Sequence, residues 1–147
     1  IDAYCQQNEW ESVSQADRML NRLLEQYLEG NDDLEPTVAT WTIVINAWGR
    51  LSKKNRRGAA DRAGRLLRRM EDLYQDGRLS YKPDAITYVT CMNAYAFSRG
   101  GEDAGEAEKL LEEMNELYLD GDATMKPSAR SVRIVAEAWI KAGDMDS

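Results

Sequence analysis

The run KPDAITY at positions 82–88 recurs in altered form as EPTVATW at 35–41 and as KPSARSV at 126–132. The prolines of these runs, Pro36, Pro83 and Pro127, lie 47 and 44 residues apart. A stretch that returns every 20 to 50 residues, roughly, is the sequence signature of a repeat protein. The three runs therefore mark equivalent points in three copies of one structural unit.

The similarity continues on both sides of each run. On the C-terminal side, NAW at 46–48 matches NAY at 93–95 and EAW at 137–139. On the N-terminal side a second segment repeats, with matched alanine, leucine, tyrosine and glycine positions: Ala16, Ala63 and Ala107; Leu20, Leu67 and Leu111; Tyr27, Tyr74 and Tyr118; Gly30, Gly77 and Gly121. Each unit is therefore built from two segments.

Both segments have the apolar spacing of an amphipathic helix. In the first, Trp41, Val44, Ile45 and Trp48 fall at i, i+3, i+4 and i+7, which places them on one helix face. The stripe recurs in the next first segment and in two second segments: Tyr88, Cys91, Met92 and Tyr95; Ala63, Leu66, Leu67, Met70, Leu73 and Tyr74; Ala107, Leu110, Leu111, Met114, Leu117 and Tyr118. We expect the aromatic residues of the first helices, including Trp139, to belong to the core.

Suitable residues stand at both ends of each predicted helix pair. Thr37, Asp84 and Ser128 follow the three prolines, where a side-chain oxygen can cap free backbone N–H groups. Glycines at 30, 77 and 121 suit the left-handed turn that ends a helix. The sequence therefore predicts where these helices begin and end.

One helix pair cannot bury its apolar stripes alone, so neighbouring pairs must stack. The predicted fold is an all-α superhelical solenoid of antiparallel helix pairs, divided into 1–36 (partial repeat), 37–83, 84–127 and 128–147 (partial repeat). The first unit is expected to begin inside a first helix, because 2–4 align with 46–48. The last is expected to stop before its second helix, so we expect further repeats on both sides.

The composition limits the chemistry that the chain can perform. It has no histidine, and Cys5 and Cys91 are far apart, so histidine acid–base catalysis, a metal cluster and a disulfide framework are not predicted. It has no run of about 18 apolar residues, the length that spans a bilayer. We expect no catalytic residue, cofactor, metal or membrane partner, and an inert core position for Cys91.

The charge is unevenly distributed. The net charge is −7, but positions 50–69 hold nine basic residues and one acidic residue. Three interpretations stay open: an RNA-facing patch, a nuclear localisation run at 53–57, and ion pairs between stacked second helices. For the last, the 44-residue offset pairs Arg62 with Glu106, Arg68 with Glu112, and Arg69 with Glu113.

The run at 82–88, the motif NAY at 93–95 and the spacing of Ala107, Leu110, Leu111 and Met114 resemble the pentatricopeptide repeat family. The resemblance covers nearly the whole chain, although the repeats of 44 and 47 residues are longer than those of the family. It also implies a turn between two helices at 141–143, which match the family's usual turn. The tetratricopeptide repeat is the second choice, because it lacks the Pro-Asp opening of the first helix. The resemblance implies binding of single-stranded RNA at about one base per repeat.

The family's base-reading positions carry over onto eight residues. The fifth residue of the first helix is Thr42, Val89 or Arg133, and the residue after proline is Asp84 or Ser128. The positions that would enclose the base are Ala39, Ile86 and Arg130. Thr42 with Asp84 resembles the combination that prefers guanine, whereas Val89 with Ser128 fits no combination.

The resemblance implies a non-catalytic RNA-binding module that acts in RNA processing, stability or translation in a mitochondrion or plastid. A helix-pair scaffold for protein partners is the alternative, favoured by the acidic balance and the incomplete base-reading positions. A third possibility is the non-catalytic arm of an enzyme. Fold alone does not decide between them, because helix-pair arrays change ligand through a few exposed side chains.

Overall fold

Every regular element of the described chain is a helix. The computed structural model describes residues 2–54, 58–98 and 101–146, with the side chains of 8–54, 58–98 and 102–143. The α-helices are α1 (Asp2–Leu28), α2 (Val38–Lys53), α3 (Ala59–Gln75), α4 (Ala85–Phe97), α5 (Gly101–Leu119) and α6 (Ala129–Asp146), with 3-10 turns at Asp32–Leu34 and Ala123–Met125. The predicted all-α class is confirmed for these residues.

The helix starts are the ones that the sequence predicts. Thr37 Oγ1 accepts a hydrogen bond from the backbone N–H of Thr40 at 3.3 Å, and Asp84 Oδ1 accepts one from Thr87 at 2.9 Å. Ser128 Oγ likewise accepts from the N–H of Ser131 at 3.1 Å. The glycines at 30, 77 and 121 follow α1, α3 and α5 with φ between 77° and 119°. Caps at both ends therefore fix the helix bounds.

The helices pack in a regular order. Each helix packs on the next one along the chain, and α2 also packs on α4, and α4 on α6. The α2 and α4 helices run parallel, because Thr42 lies beside Thr87 and, one heptad further on, Gly49 lies beside Ala94. The α3 and α4 helices run antiparallel. Tyr95 of α4 packs on the backbone of Gly64 in α3, and Tyr88, seven residues earlier in α4, donates a hydrogen bond to Glu71, seven residues later in α3.

The core is formed by the predicted apolar stripes. Trp41, Trp48, Tyr88 and Tyr95 are buried, as expected. The prediction is wrong for Trp139, of which 43% is exposed. In α2 the equivalent ring is covered from α3, whose Arg62 lies over it, whereas among the described residues no helix covers the ring of Trp139 in this way.

Two further expectations differ from the structure, and one falls partly outside the described residues. Residues 2–28 form one continuous helix, so the expected turn between two helices in the first unit is not present. The α6 helix continues through 141–143, where a turn was expected. Of the nuclear-localisation run at 53–57, residues 55–57 lie outside the described residues. The local apolar periodicity thus predicts helix well, but not where two helices join.

Of the three predicted charge pairs between second helices, none forms in the predicted register, and Arg68 pairs with a neighbouring glutamate instead. Both guanidinium nitrogens of Arg68 bind the carboxylate of Glu113, at 2.7 and 2.9 Å, and not that of Glu112. Arg69 donates to Asn21 Oδ1 at 3.4 Å, and Arg62 lies over two tryptophan rings and is not paired with Glu106. The ion pair between Arg68 and Glu113 joins residues 45 positions apart, one more than the 44-residue sequence repeat. This is possible because the side-chain ridges of two packed helices need not bring equivalent positions together.

Burial gives the core a sensitivity to alkaline pH. Burial raises the pKa of the Cys91 thiol from 9.0 to about 12 and that of the Tyr81 phenol from 10.0 to about 12. Burial also raises the pKa values of Tyr88 and Tyr95. Because these pKa values are higher in the folded chain than in the unfolded chain, their contribution to stability is complete below pH 9 and is lost as the pH rises towards 12.

We therefore expect the free energy of unfolding to fall steadily as the pH rises above 9. Urea titrations at a series of pH values would measure the decline. Cys91→Val is the matched control, since valine occupies the equivalent positions 44 and 135, and it should postpone the onset to the tyrosine range near pH 10. A wild-type stability that stays constant up to pH 11 or so would contradict the assignment of these groups to the core.

Candidate nucleic-acid interface

A shallow groove of about 390 Å³ lies between the N-terminal halves of α2 and α4. Its lining consists of Val38, Ala39, Thr42, Ile43, Asn46, Asp84, Ile86 and Thr90. Four of the residues that the sequence analysis selected for RNA binding, Ala39, Thr42, Asp84 and Ile86, are thus brought together. They come from two units of the repeat, and the parallel packing of α2 on α4 places them side by side.

Asp84 holds a carboxylate at the edge of this groove. Its Oδ1 accepts from the N–H of Thr87 at 2.9 Å and from the hydroxyl of Thr87 at 2.7 Å. Its Oδ2 accepts no hydrogen bond within the described chain, and the residue is exposed. The helix cap therefore fixes one oxygen and leaves the other available to a ligand.

Thr42 supplies a second polar group. Its Oγ1 donates to the carbonyl of Val38 at 2.9 Å and lies 3.2 Å from Thr87 Oγ1. Since the Thr87 hydroxyl donates to Asp84, oxygen atoms of Thr42, Thr87 and Asp84 form one connected row. Thr42 Oγ1 can accept a hydrogen bond from a ligand but cannot donate one, because its single hydrogen is already donated to the carbonyl of Val38.

The groove walls are apolar and accessible. Ile43 and Ile86 are 68% and 67% exposed, and Ala39 is also exposed. Among the described residues that line the groove, none is Lys or Arg. A flat, weakly polar group with hydrogen-bond donors on one edge fits such a surface better than a phosphate does.

Sequence reasoning missed Thr87, which is fully buried and connects Thr42 to Asp84. The available signal was the hydroxyl that each repeated run carries at this point, as Thr40, Thr87 and Ser131. Thr87 is a positioning residue, because it holds the Asp84 carboxylate without lining the groove. Ile43 was missed as well, since its isoleucine does not recur at position 90.

The other four predicted residues do not line this groove. Val89 is half-buried and packs against the core. Ser128 is exposed, but its hydroxyl and backbone N–H are both engaged with Ser131. Arg130 is exposed, and Arg133, also exposed, lies with Nε 3.9 Å from the carboxylate of Glu137. The two candidate base sites are therefore unequal, as the pairing of Val89 with Ser128 suggested.

Two kinds of site were also searched for in the described part of the chain. No group of three Cys, Asp or Glu side chains among these residues is placed to hold a metal ion. None of the described helices is both long and apolar enough to cross a membrane.

No protein-family model, curated protein or solved structure matches this chain. What the groove binds must therefore be inferred from its own side chains, and the resemblance to the pentatricopeptide repeat remains a resemblance in sequence pattern. The juxtaposition of Ala39, Thr42, Asp84 and Ile86 is the observation from which a function can be argued.

Proposed function

We propose that the groove between α2 and α4 binds one base of single-stranded RNA. The supporting observation is that Asp84, Thr42, Ala39 and Ile86 line one cavity of about 390 Å³. Ala39 and Ile86 would contact the two faces of the base, and the free oxygen of Asp84 would accept from its edge. Sequence-specific RNA recognition uses this combination of apolar contact and edge hydrogen bonds on unstacked bases.

The chemistry of the two polar residues favours guanine. An ionised carboxylate accepts hydrogen bonds and cannot donate them. Guanine presents two adjacent donors on its pairing edge, N1–H and the N2 amino group, whereas adenine and cytosine present an acceptor at the ring nitrogen. Asp84 Oδ2 would accept from these donors, and Thr42 Oγ1 would receive a further N–H where the base reaches it.

We further propose that the six helices are a section of a superhelical solenoid of pentatricopeptide type, acting without catalysis on RNA in a mitochondrion or plastid. The packing of α2 on α4 and of α4 on α6 supports the arrangement, since each neighbouring pair of first helices would offer one base site. Arg130 and Arg133, exposed on α6, would add positive charge beside these sites.

The conservative substitution Asp84→Asn tests the site. Asparagine also caps helices, so the fold should be kept while the acceptor-only carboxylate is lost. We expect the chain to prefer an oligouridine with a central guanosine to plain oligouridine by about tenfold, since a hydrogen bond to a charged group contributes roughly 1.5 to 3 kcal/mol. Asp84→Asn should abolish that preference.

Fluorescence anisotropy of labelled oligoribonucleotides at several salt concentrations measures the preference. Asp122→Asn is the matched control, because Asp122 caps the 3-10 turn at Ala123–Met125 and lies outside the groove. It should leave the preference unchanged. Binding of duplex DNA as strong as that of RNA, or an Asp84→Asn variant that keeps the guanosine preference, would refute the proposal.

A protein-binding scaffold is the second candidate. The observation in its favour is that Ile43 and Ile86 are exposed beside each other in a groove lined by no Lys or Arg among the described residues. An amphipathic helix could place apolar side chains there. A peptide that binds with an affinity reduced by Ile86→Glu but unaffected by Asp84→Asn, in a chain that does not bind RNA, would favour this function.

A further inference from the structure

A second cleft, of about 920 Å³, lies between α3 and α5. It shares no lining residue with the groove between α2 and α4. Its lining includes Gly64 of α3, Tyr95 of α4 and the carboxylates of Asp61, Asp103 and Glu106. The cleft therefore combines an aromatic ring with acidic side chains from two helices.

The hydroxyl of Tyr95 has no hydrogen-bond partner among the described residues. Tyr95 is only 8% exposed, and its hydroxyl lies against the backbone of Gly64, where an added Cβ would collide with it. Both residues line the cleft, so the hydroxyl is placed at the cleft surface. A hydroxyl that is nearly buried and unpaired costs stability, which indicates that it serves a ligand.

The preceding junction, where α1 and α3 pack on α2, shows the equivalent ring with its partners. There Trp48 holds the position of Tyr95, and its Nε1–H donates to Asp17 Oδ2 at 2.8 Å. On the other side, the guanidinium of Arg62 lies 5.6 Å from the centroid of the Trp48 ring. A carboxylate from one helix and a guanidinium from the next thus satisfy this ring.

Both partners are replaced at the junction of α3 and α5. Gly64 stands at the position of Asp17, and Glu106 stands at the position of Arg62. Burial and the negative charges near the ring, including that of Glu106, raise the pKa of Tyr95. Among the described residues, none supplies a guanidinium over Tyr95. The place that Arg62 fills beside Trp48 is therefore open here and surrounded by negative charge.

The carboxylates at this end of the cleft repel one another. Burial raises the pKa of Asp103, and the charges of Asp61, Glu102 and Glu106 raise it further, although Ser98 donates a hydrogen bond to the Asp103 carboxylate. Like charges held close together favour an added cation, because it relieves their repulsion. The electrostatics of this end therefore favour a positively charged ligand.

The basic residues of the cleft leave this end unneutralised. Arg68 binds Glu113 at 2.7 Å, and Lys109 lies 3.6 Å from a carboxylate oxygen of Glu106. Arg65 is exposed and forms no ion pair with a described residue. It is thus available to an anionic group on a ligand whose cationic end lies at Tyr95.

We propose that the cleft between α3 and α5 binds a guanidinium group, carried either by a free small molecule or by an arginine side chain of a partner protein. The group would lie over the ring of Tyr95 as that of Arg62 lies over Trp48. It would donate to the Tyr95 hydroxyl and to the carboxylates of Asp61 and Glu106. A planar guanidinium suits these acceptors, because it presents five N–H donors and stacks on aromatic faces.

NMR titration of the full chain, labelled with ¹⁵N, tests the proposal with Nα-acetyl-arginine amide as the probe. We expect saturable shifts of the amide signals of Gly64 and Gly105, which both line the cleft. The amide signal of Gly49, buried between α2 and α4, should stay unchanged. Nα-acetyl-citrulline amide has the same length but no charge, and it should bind about tenfold more weakly.

Three variants locate the binding site. Glu106→Arg should abolish binding, because the chain would then supply its own guanidinium at the position of Arg62. Tyr95→Phe should weaken binding about threefold, the effect of one neutral hydrogen bond. It should not lower the thermal unfolding temperature, because the hydroxyl has no partner in the described chain. Glu108→Gln is the matched control, since Glu108 is exposed on α5 and does not line the cleft, and it should bind like the wild type.

Free arginine and the peptide Gly-Gly-Arg-Gly-Gly distinguish the two sources of the guanidinium. Tighter binding of free arginine would assign a small molecule whose carboxylate meets Arg65, whereas a peptide that binds at least as tightly would assign a protein partner. A chain that binds none of the three guanidinium probes would overturn the proposal, including the case in which the chain fills the cleft itself. Equal affinity for the citrulline probe, or full affinity in Glu106→Arg, would overturn it as well.

Discussion

Replacing Trp48 with alanine is expected to lower the free energy of unfolding by about 3 to 5 kcal/mol. The side chain is completely buried, and its ring meets Trp10 edge to face with centroids 4.9 Å apart. Its Nε1–H donates to Asp17 Oδ2 at 2.8 Å, and the guanidinium of Arg62 lies 5.6 Å from the ring centroid. Alanine would leave a cavity where α1, α2 and α3 meet and would deprive Asp17 of a donor.

Urea denaturation followed by circular dichroism measures this loss. Trp139→Ala is the matched control, because Trp139 holds the equivalent position in α6 but is largely exposed. We expect it to change the free energy of unfolding by less than about 1 kcal/mol. Equal losses of unfolding free energy for the two variants would show that the two tryptophans are equally buried, which would contradict this structure.

Reversing the charge of Arg68 is expected to lower the free energy of unfolding by about 2 kcal/mol or more. Arg68 lies at the centre of a network that connects α3, α4 and α5. It binds Glu113 of α5 and also Glu71 of its own helix, α3, at 2.9 Å. Glu71 in turn accepts a hydrogen bond from Tyr88 of α4. The hydrogen bonds that Arg68 donates to Glu113 and Glu71 raise its pKa, and Arg68→Glu would place three carboxylates together.

A second substitution separates the two possible registers. Glu113→Arg, added to Arg68→Glu, should restore about half or more of the lost stability, because it recreates an opposite pair at the same place. Glu112→Arg is the matched control one residue away, and it should restore little. If the Glu112 variant rescued as well as the Glu113 variant, the second helices would stack with the 44-residue offset of the sequence.

The sequence predicted the structural features that depend on residues close together along the chain. Thr37, Asp84 and Ser128 cap their helices because capping needs only a short polar side chain and the next three residues. The buried stripes follow for the same reason, from the 3.6-residue period of the helix. The Arg68 to Glu113 pairing could not be read from the sequence, because the register between stacked helices depends on how their side-chain ridges interlock.

The residues of the candidate site could likewise be predicted only in part. Ala39, Thr42, Asp84 and Ile86 could be chosen from the repeat pattern, and the structure places them in one groove. Thr87 could not, because its role depends on a hydrogen bond to Asp84 and on a contact with Thr42, a residue in another helix. The exposure of Trp139 was missed for a related reason, since burial depends on the neighbouring helix as well as on position within the stripe.

The central claim, that the groove between α2 and α4 binds a base of RNA, is tested most directly by methyl NMR of the isoleucine side chains. On addition of a guanosine-containing oligoribonucleotide, we predict that the methyl signals of Ile43 and Ile86 shift together. The signal of Ile45, buried in the same helix as Ile43, and that of Ile140, exposed on α6, should stay unchanged. Shifts at Ile140 without shifts at Ile43 and Ile86, or no shift at saturating RNA, would contradict the account.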